Sequence, residues 1–396
     1  MSTALPPRRP LLPRRTPLAW RQLSHRPLRL AAALAGVTFA NLLVFFQLGL
    51  SGGLYDSQKR PIQRINGQLV MVSSRYLNLG EPLDFPRSRL MQALGVQGVR
   101  AVTPLSISLI QWLNQDTRQQ KKALLFGVDP LNPALSLPEL PQQSLTLRQS
   151  DSLLFDRRSK SNAGPVPALL QQTGRYDTEL NGRQATVRGL FTMGITFAAD
   201  INLITSSSGF KRFNPQQDAD AIQLGVIQLE PGAELRRVQV TLQQIVGPSL
   251  RILTIPELAS LEESYWRRNT SFGVIFGVGV LVGLLVGAII VYQILYSDVS
   301  DHLPEYATLK AIGYSDRFVV MIILQESLIL AVLAFVPSLL LALGLYGFLA
   351  RATALLVVMP ASRALLVFLF TLVICGGSGW LATGRLRRLD PAEIFG

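Results

Sequence analysis

The chain has 396 residues and a formal net charge of +13, yet only 16% of its side chains are charged. A mean hydropathy of +0.30, gathered into apolar blocks, excludes an ordinary soluble protein and points to a membrane protein with a large water-facing part. The basic excess is uneven: residues 1–29 hold seven arginines and no acid, and this cluster abuts an apolar run, where positive charge sets topology, so no nucleic-acid partner is expected.

In chain order, residues 1–27 form a basic cytoplasmic tail and an interfacial helix. "TPLAWRQLSHRPLRL" places Pro17 at a first helical position and mixes Leu18, Trp20 and Leu23 with Arg21, His25 and Arg26, while the Pro-Arg repeats before it suit a disordered tail. Residues 28–50 form the first transmembrane helix, an uncleaved anchor, because the apolar run exceeds the h-region of a signal peptide. Residues 51–271 form a mixed α/β periplasmic domain inserted between the first and second spans. Strand-like content falls at 67–74, 106–113, 122–129, 183–191 and 221–229, and helices at "FPRSRLMQALGV" and "GAELRRVQVTLQQIV". Residues 130–182, rich in Pro, Gln and Ser and poor in periodicity, are expected to be a looping insertion between two halves of that domain.

The remaining spans are 272–296, 318–349 and 364–384, separated by a cytoplasmic helix in 297–317 and a short periplasmic hairpin in 350–363. With Arg385, Arg387 and Arg388 in the 385–396 tail, the positive-inside rule puts both termini in the cytoplasm and the chain in the cytoplasmic (inner) membrane, as a multi-pass protein among membrane lipids. The fold class is thus an α-helical membrane protein with four transmembrane helices plus the inserted α/β domain.

Chemistry-bearing groups are few. Cys375 is the only cysteine and lies in an apolar run, and the two histidines, His25 and His302, lie outside the large domain, so neither a metal cluster nor a catalytic triad is expected. No lysine follows a glycine, so the phosphate-binding loop of a P-loop ATPase is absent. No catalytic, metal or cofactor-binding residue is therefore assigned.

Three features stand out. Gly279, Gly283 and Gly287 recur every fourth residue and present one face for close helix packing, within or between subunits. Glu326, preceded by Gln325, is the one acid well inside an apolar span; its carboxylate is expected to be served by Gln325, by interfacial water or by a nearby arginine. In "LPEYATLKAIGYSD", Pro304 suits a helix start, Glu305 its first turn, Lys310 its last and Gly313 its end, while Tyr306, Leu309 and Ile312 are expected on one side. Such a helix either docks into a groove of a partner ATPase or merely joins two spans.

At these residues the sequence resembles permeases of the MacB and FtsX type. "LPEYATLKAIGYSDRFVVMIILQESLILAV" is similar to that family's coupling-helix motif and "LDPAEIFG" to its tail. "PLAWRQLSHRPLRL", "GVTFANLLVFFQLGL" and "FPRSRLMQALGVQGVRAVTPL" resemble the DevC-type permeases of cyanobacterial exporters. The resemblance implies a MacB-like periplasmic domain on an FtsX-like permease domain, a homodimer, and a separate ABC ATPase that holds ATP and Mg. It further implies a periplasmic membrane-fusion adaptor and, through it, a TolC-like outer-membrane channel. The implied function is mechanotransmission of ATP-driven motion to export a lipid, glycolipid or other amphiphile, with Glu305, Leu309, Lys310 and Gly313 contacting the ATPase. An FtsX-like signalling permease regulating a cell-wall hydrolase, and a lipoprotein-releasing permease, are the alternatives on the same fold.

Overall fold

The computed structural model describes residues 27–196, 198–218, 220–353 and 357–384. The expected interfacial helix before residue 27 and the tail from 385 lie outside the described residues. The chain divides into two compact units: Gly49–Phe276 with Tyr346–Val358, and the described parts of Met1–Leu48, Gly277–Leu345 and Met359–Gly396.

The elements follow in chain order: α1 (Pro27–Gln63), β1 (Leu69–Ser73), β2 (Phe85–Pro86), α2 (Arg87–Met91), β3 (Val99–Leu113), β4 (Gln120–Val128), β5 (Ser152–Asp156) and α3 (Val166–Thr173). Next come β6 (Tyr176–Leu180), β7 (Arg183–Phe191), β8 (Ile201–Ser206), α4 (Ser207–Phe213), β9 (Ala221–Ile222), β10 (Leu224–Leu229), α5 (Leu235–Val246) and β11 (Leu250–Thr254). The chain continues with α6 (Ile255–Arg268), α7 (Ser271–Asp301), α8 (Leu303–Ala311), α9 (Asp316–Thr353) and α10 (Ala361–Ala382).

The α/β domain is organised around β3, whose 15 residues belong to two substructures. Val99–Leu105 pair antiparallel with β10, and Ser106–Leu113 pair antiparallel with β4. The sheet runs β11-β1-β10-β3-β4-β8-β5-β7-β6, and β6 returns to β3 at Leu180 opposite Trp112, so the last six strands close into a small barrel. Closure removes a sheet edge that would otherwise need protection. Trp112 fills the barrel, stacked on Tyr176 and tilted against Phe155, and its indole N–H donates to the Ala163 carbonyl at 3.1 Å, which lets a polar nitrogen be fully buried.

Residues 130–182 depart from the expected loop, because they supply β5, α3 and β6 to the barrel. All five residues of β5 (SLLFD) are buried, so the strand has no alternation to betray it, and β6 turns Tyr176, Thr178 and Leu180 inward, a set with two polar tips. The helix expected in "FPRSRLMQALGV" shrinks to the five residues of α2 followed by a 3-10 turn at Gln92–Gly95. In α5, Val238, Leu242 and Val246 are buried, which is the spacing its sequence shows.

The remaining edge strand, β11, is capped by side chains. Gln243 donates its amide to the Leu250 carbonyl (2.9 Å) and accepts from the Ile252 N–H (2.9 Å), while Gln239 donates to the Ile252 carbonyl (3.0 Å). Two glutamines on α5 thus occupy backbone groups that an exposed edge would offer to another chain. Gln243→Ala should lower stability by about 1–3 kcal/mol, because it strips partners from two strand groups at once. Thermal unfolding of the full chain, with hydrogen exchange at Ile252 as the local readout, checks this.

Among the described residues, four helices are long and apolar enough to cross a membrane: Pro27–Gln63, Ser271–Asp301, Asp316–Arg351 and Ala361–Ala382. The first runs 13 residues past the span expected to end at 50, since the segment that follows contains no proline before Pro61. All four share one core, through Ala33 and Val37, Val291 and Leu295, Leu330 and Ala334, and Cys375.

Candidate functional site

The glycine face of α7 lies against α1. A Cβ on Gly279 would collide with the Gln47 side chain, one on Gly283 would reach 3.0 Å from Val44 and one on Gly287 would reach 3.0 Å from Ala40. Gly36 on α1 repeats the arrangement in reverse, its vacant Cβ position being filled by Ile290. In hydrocarbon, where apolar side chains gain nothing by leaving lipid, such backbone proximity is what draws two helices together.

Polar side chains that the sequence reading passed over fasten the other helices. Thr371 on α10 donates to Asn41 Oδ1 on α1 at 2.8 Å, and Asn41 Nδ2 lies 3.4 Å from Ser338 on α9. Thr38 donates to the Ala334 carbonyl at 3.3 Å and Ser378 to the Ala288 carbonyl at 3.1 Å. Each of these is a small polar residue inside an apolar run, which is the signal that marks it. Glu326 is fully buried and neither carboxylate oxygen has a hydrogen-bond partner among the described residues. The expectation that Gln325 serves it fails, since Gln325 is the next residue round the helix and is exposed. Arg29 is engaged instead with Asp301 at 2.6 Å and lies 3.8 Å from Asp298.

The short helix α8 carries the other expected residues. Glu305 lies exposed in its first turn, and Gly313, with φ +105°, ends it: Tyr314 N–H bonds back to the Leu309 carbonyl at 3.0 Å, a left-handed glycine stop. Tyr306 is completely buried and packs with Val299, Val319 and Ile323, with Leu309 partly covered beside it. Ile312 is 71% exposed, so the single apolar side expected of Tyr306, Leu309 and Ile312 does not form. The Ile312 N–H keeps a helical bond to the Thr308 carbonyl at 3.0 Å, and six residues at about 100° each turn its side chain away from the side on which Tyr306 is buried. The Lys310 side chain lies outside the described residues. What the turn presents outward is Ile312, Tyr314 and Phe318, the last two with ring centroids 4.7 Å apart. The signal for this pair in the sequence is two aromatics four residues apart just after a helix-ending glycine.

In the other unit, the outer part of α1 and the end of α6 are clasped. Lys59 bonds Glu263 at 3.1 Å and Asp56 at 2.8 Å, the Arg267 guanidinium sits 5.3 Å from the Tyr55 ring centre, and Leu50 and Leu54 pack with Trp266, Phe272 and Phe276. A capping box starts α6: Thr254 Oγ1 accepts from Glu257 N–H at 3.2 Å while Glu257 accepts from Thr254 N–H at 2.9 Å. One turn beyond, the buried Glu262 accepts from Tyr76 Oη (3.1 Å), Leu79 N–H (2.9 Å) and Trp266 Nε1 (3.0 Å), pinning the loop after β1 to α6.

Residues 277–391 match the family model "FtsX-like permease C-terminal". The FtsX-like segment thus holds most of α7 and all of α8, α9 and α10, and with them the glycine face, Glu326 and the turn at Gly313. Three solved structures each resemble about half of the chain. The periplasmic region of MacB from Actinobacillus actinomycetemcomitans is 14% identical, with TM-score 0.34, over 50% of this chain and 94% of that one. The extracellular domain of the noncanonic ABC-type transporter YknZ from Gram-positive bacteria is 9% identical, with TM-score 0.33, over 47% and 100%. A domain of a putative permease protein from Porphyromonas gingivalis is 13% identical, with TM-score 0.28, over 49% and 90%. No curated protein matches the chain.

Two predictions follow from the packing. Gly283→Leu or Gly287→Leu should cost about 1–3 kcal/mol through forced separation of α1 and α7. Gly277→Leu, where an added Cβ meets nothing within 4 Å, should be tolerated, and thermal unfolding in detergent separates the cases. Burial pushes the Glu262 carboxyl up to about 7 from 4.5, against its three hydrogen bonds, which pull it down. The folded chain then binds more protons than the unfolded one between those values, so this group's contribution is full below the lower and lost as pH rises through the upper. Stability should fall by at most about 3 kcal/mol from this group between about pH 5 and about pH 8, and Glu262→Gln should flatten that slope in thermal unfolding.

Proposed function

We propose that the protein is the membrane subunit of an ABC-type exporter, working as a homodimer with a separate ATPase that binds ATP and Mg. The match of 277–391 to the FtsX-like permease family supports an ABC permease-type role and an ABC ATPase partner. The observation that carries the finer reading is the turn after α8, where Ile312, Tyr314 and Phe318 stand exposed, with Glu305 exposed two turns before Ile312, while Leu303, Tyr306 and Leu309 pack into the chain. An apolar knob with a charged neighbour fits a groove on a partner, and the firm seating of Tyr306 lets a push on the knob move α7 and α9 together. The clasp of α1 on α6 by Lys59, Glu263 and Arg267 is the corresponding link in the α/β domain. In this reading the domain faces the periplasm, engages a membrane-fusion adaptor and a TolC-like channel, and the cargo is a lipid, glycolipid or other amphiphile, as in DevC-type exporters.

Ile312→Asp and Glu305→Arg change exposed residues, so both variants should fold, insert and keep wild-type thermal stability. They should lower co-purification of the ATPase at least about tenfold, equivalent to about 1.4 kcal/mol. Wild-type recovery of the ATPase with both variants would remove the docking role from this turn.

A further inference from the structure

A stretch of β3 has a free edge. Backbone groups on a strand face alternate sides, and the Ile107 N–H turns away from β4 to donate to Gln223 Oε1 at 2.8 Å. Two steps of the alternation later, the Gln111 N–H donates to Asn181 Oδ1 at 2.9 Å and its carbonyl accepts from the Asn181 N–H at 3.0 Å. Leu109 lies between them and points its peptide groups to the same side. There β10 has already ended, at Leu224 opposite Leu105, and β6 has not begun, reaching β3 only at Trp112. Among the described residues Leu109 has no partner on that side.

This gap opens into a cleft of about 640 Å³ whose lining includes Leu109, Phe213 and Pro215. The cleft is charged at its two ends. Asp84, tied to Gln223 at 2.7 Å, and the neighbouring Glu81 stand at the Ile107 end, and Arg183, two residues from Asn181, stands at the Gln111 end. All three are exposed, and neither Glu81 nor Arg183 has an ion-pair partner among the described residues.

We infer that this cleft binds an extended segment of a partner polypeptide as an added strand on β3, with an acidic residue at Arg183 and a basic residue at Glu81 and Asp84. The Leu109 amide and carbonyl exchange both hydrogen bonds with the central residue of the incoming segment, and strand addition of this kind draws affinity from main-chain bonds and specificity from the flanking groups. Three residues, opposite Ser108, Leu109 and Ile110, span about 10 Å and fit between the groups already bonded at Ile107 and Gln111, and one flanking residue at each end turns out toward the charged side chains. Antiparallel pairing, the more stable arrangement, fixes the polarity as acidic at the N-terminal end and basic at the C-terminal end. The site stands on the α/β domain alone and is independent of the coupling role of the turn after α8.

The probe is a fluorescein-labelled, end-capped pentapeptide, Asp-Val-Thr-Val-Lys, titrated by anisotropy against the full chain in detergent micelles. Saturable binding is expected, weakened about tenfold or more by N-methylation of the central threonine, which removes the donor to Leu109. The order Lys-Val-Thr-Val-Asp should bind more weakly. The double variant Glu81→Arg with Arg183→Glu, confined to exposed side chains, should invert that preference. The proposal is overturned by absence of binding, by equal binding of the methylated peptide, which would indicate adsorption through side chains only, or by an unchanged preference in the double variant.

Discussion

The contact on which the structure depends is the close approach of α1 and α7, the helices that bracket the α/β domain in sequence. Inside a bilayer neither helix gains by hiding leucine from lipid, so the pair is held by packing that only small residues permit. Gly283 and Gly287 receive Val44 and Ala40, and Gly36 receives Ile290 in return. With that seam set, the two ends of the intervening domain are held near each other. The hydrogen bonds from Thr371 to Asn41 and from Thr38 and Ser378 to backbone carbonyls then distinguish α9 and α10 from any other apolar helices of similar length.

The α/β domain solves a different problem, that of joining two substructures while leaving little strand edge open. A single long strand, β3, serves both, β6 closes one side into a barrel, and two glutamines cover the edge at β11. Its buried charges are satisfied rather than avoided. Asp156 accepts from the N–H groups of Arg158, Met193 and Gly194 and from the Asn202 amide, a donor set that suits a carboxylate fully removed from water. Gly194, at φ +95°, is favoured there by its backbone angle, and a Cβ would displace the end of the Arg60 side chain.

The turn after α8 shows how folding redistributes roles among residues. Amphipathic helices are usually imagined offering their apolar stripe to a partner, but α8 spends Tyr306 and Leu309 on its own neighbours. What stays exposed is the group of Ile312, Tyr314 and Phe318 around the left-handed glycine at its C-terminal end. That arrangement anchors the helix through its own tyrosine and leaves a small apolar surface at its end.

The sequence by itself determined the four long apolar helices, the α/β domain between the first two, the strands at 122–129 and 183–191, a helix within 232–246 and the stop at Gly313. Each is written in a local signal: the length of an apolar run, a period of two or 3.6, or a residue that tolerates positive φ. It also showed that α7 has a glycine face, without the partner of that face. Only the tertiary structure decided that α1 is the partner, that β5 and β6 lie inside a barrel, and that Tyr306 turns inward. It also left Glu326 without Gln325. The physical reason is that periodicity records whether a residue is covered, while the identity of what covers it depends on segments such as Asn41 and Thr371, which the chain brings together across 330 positions.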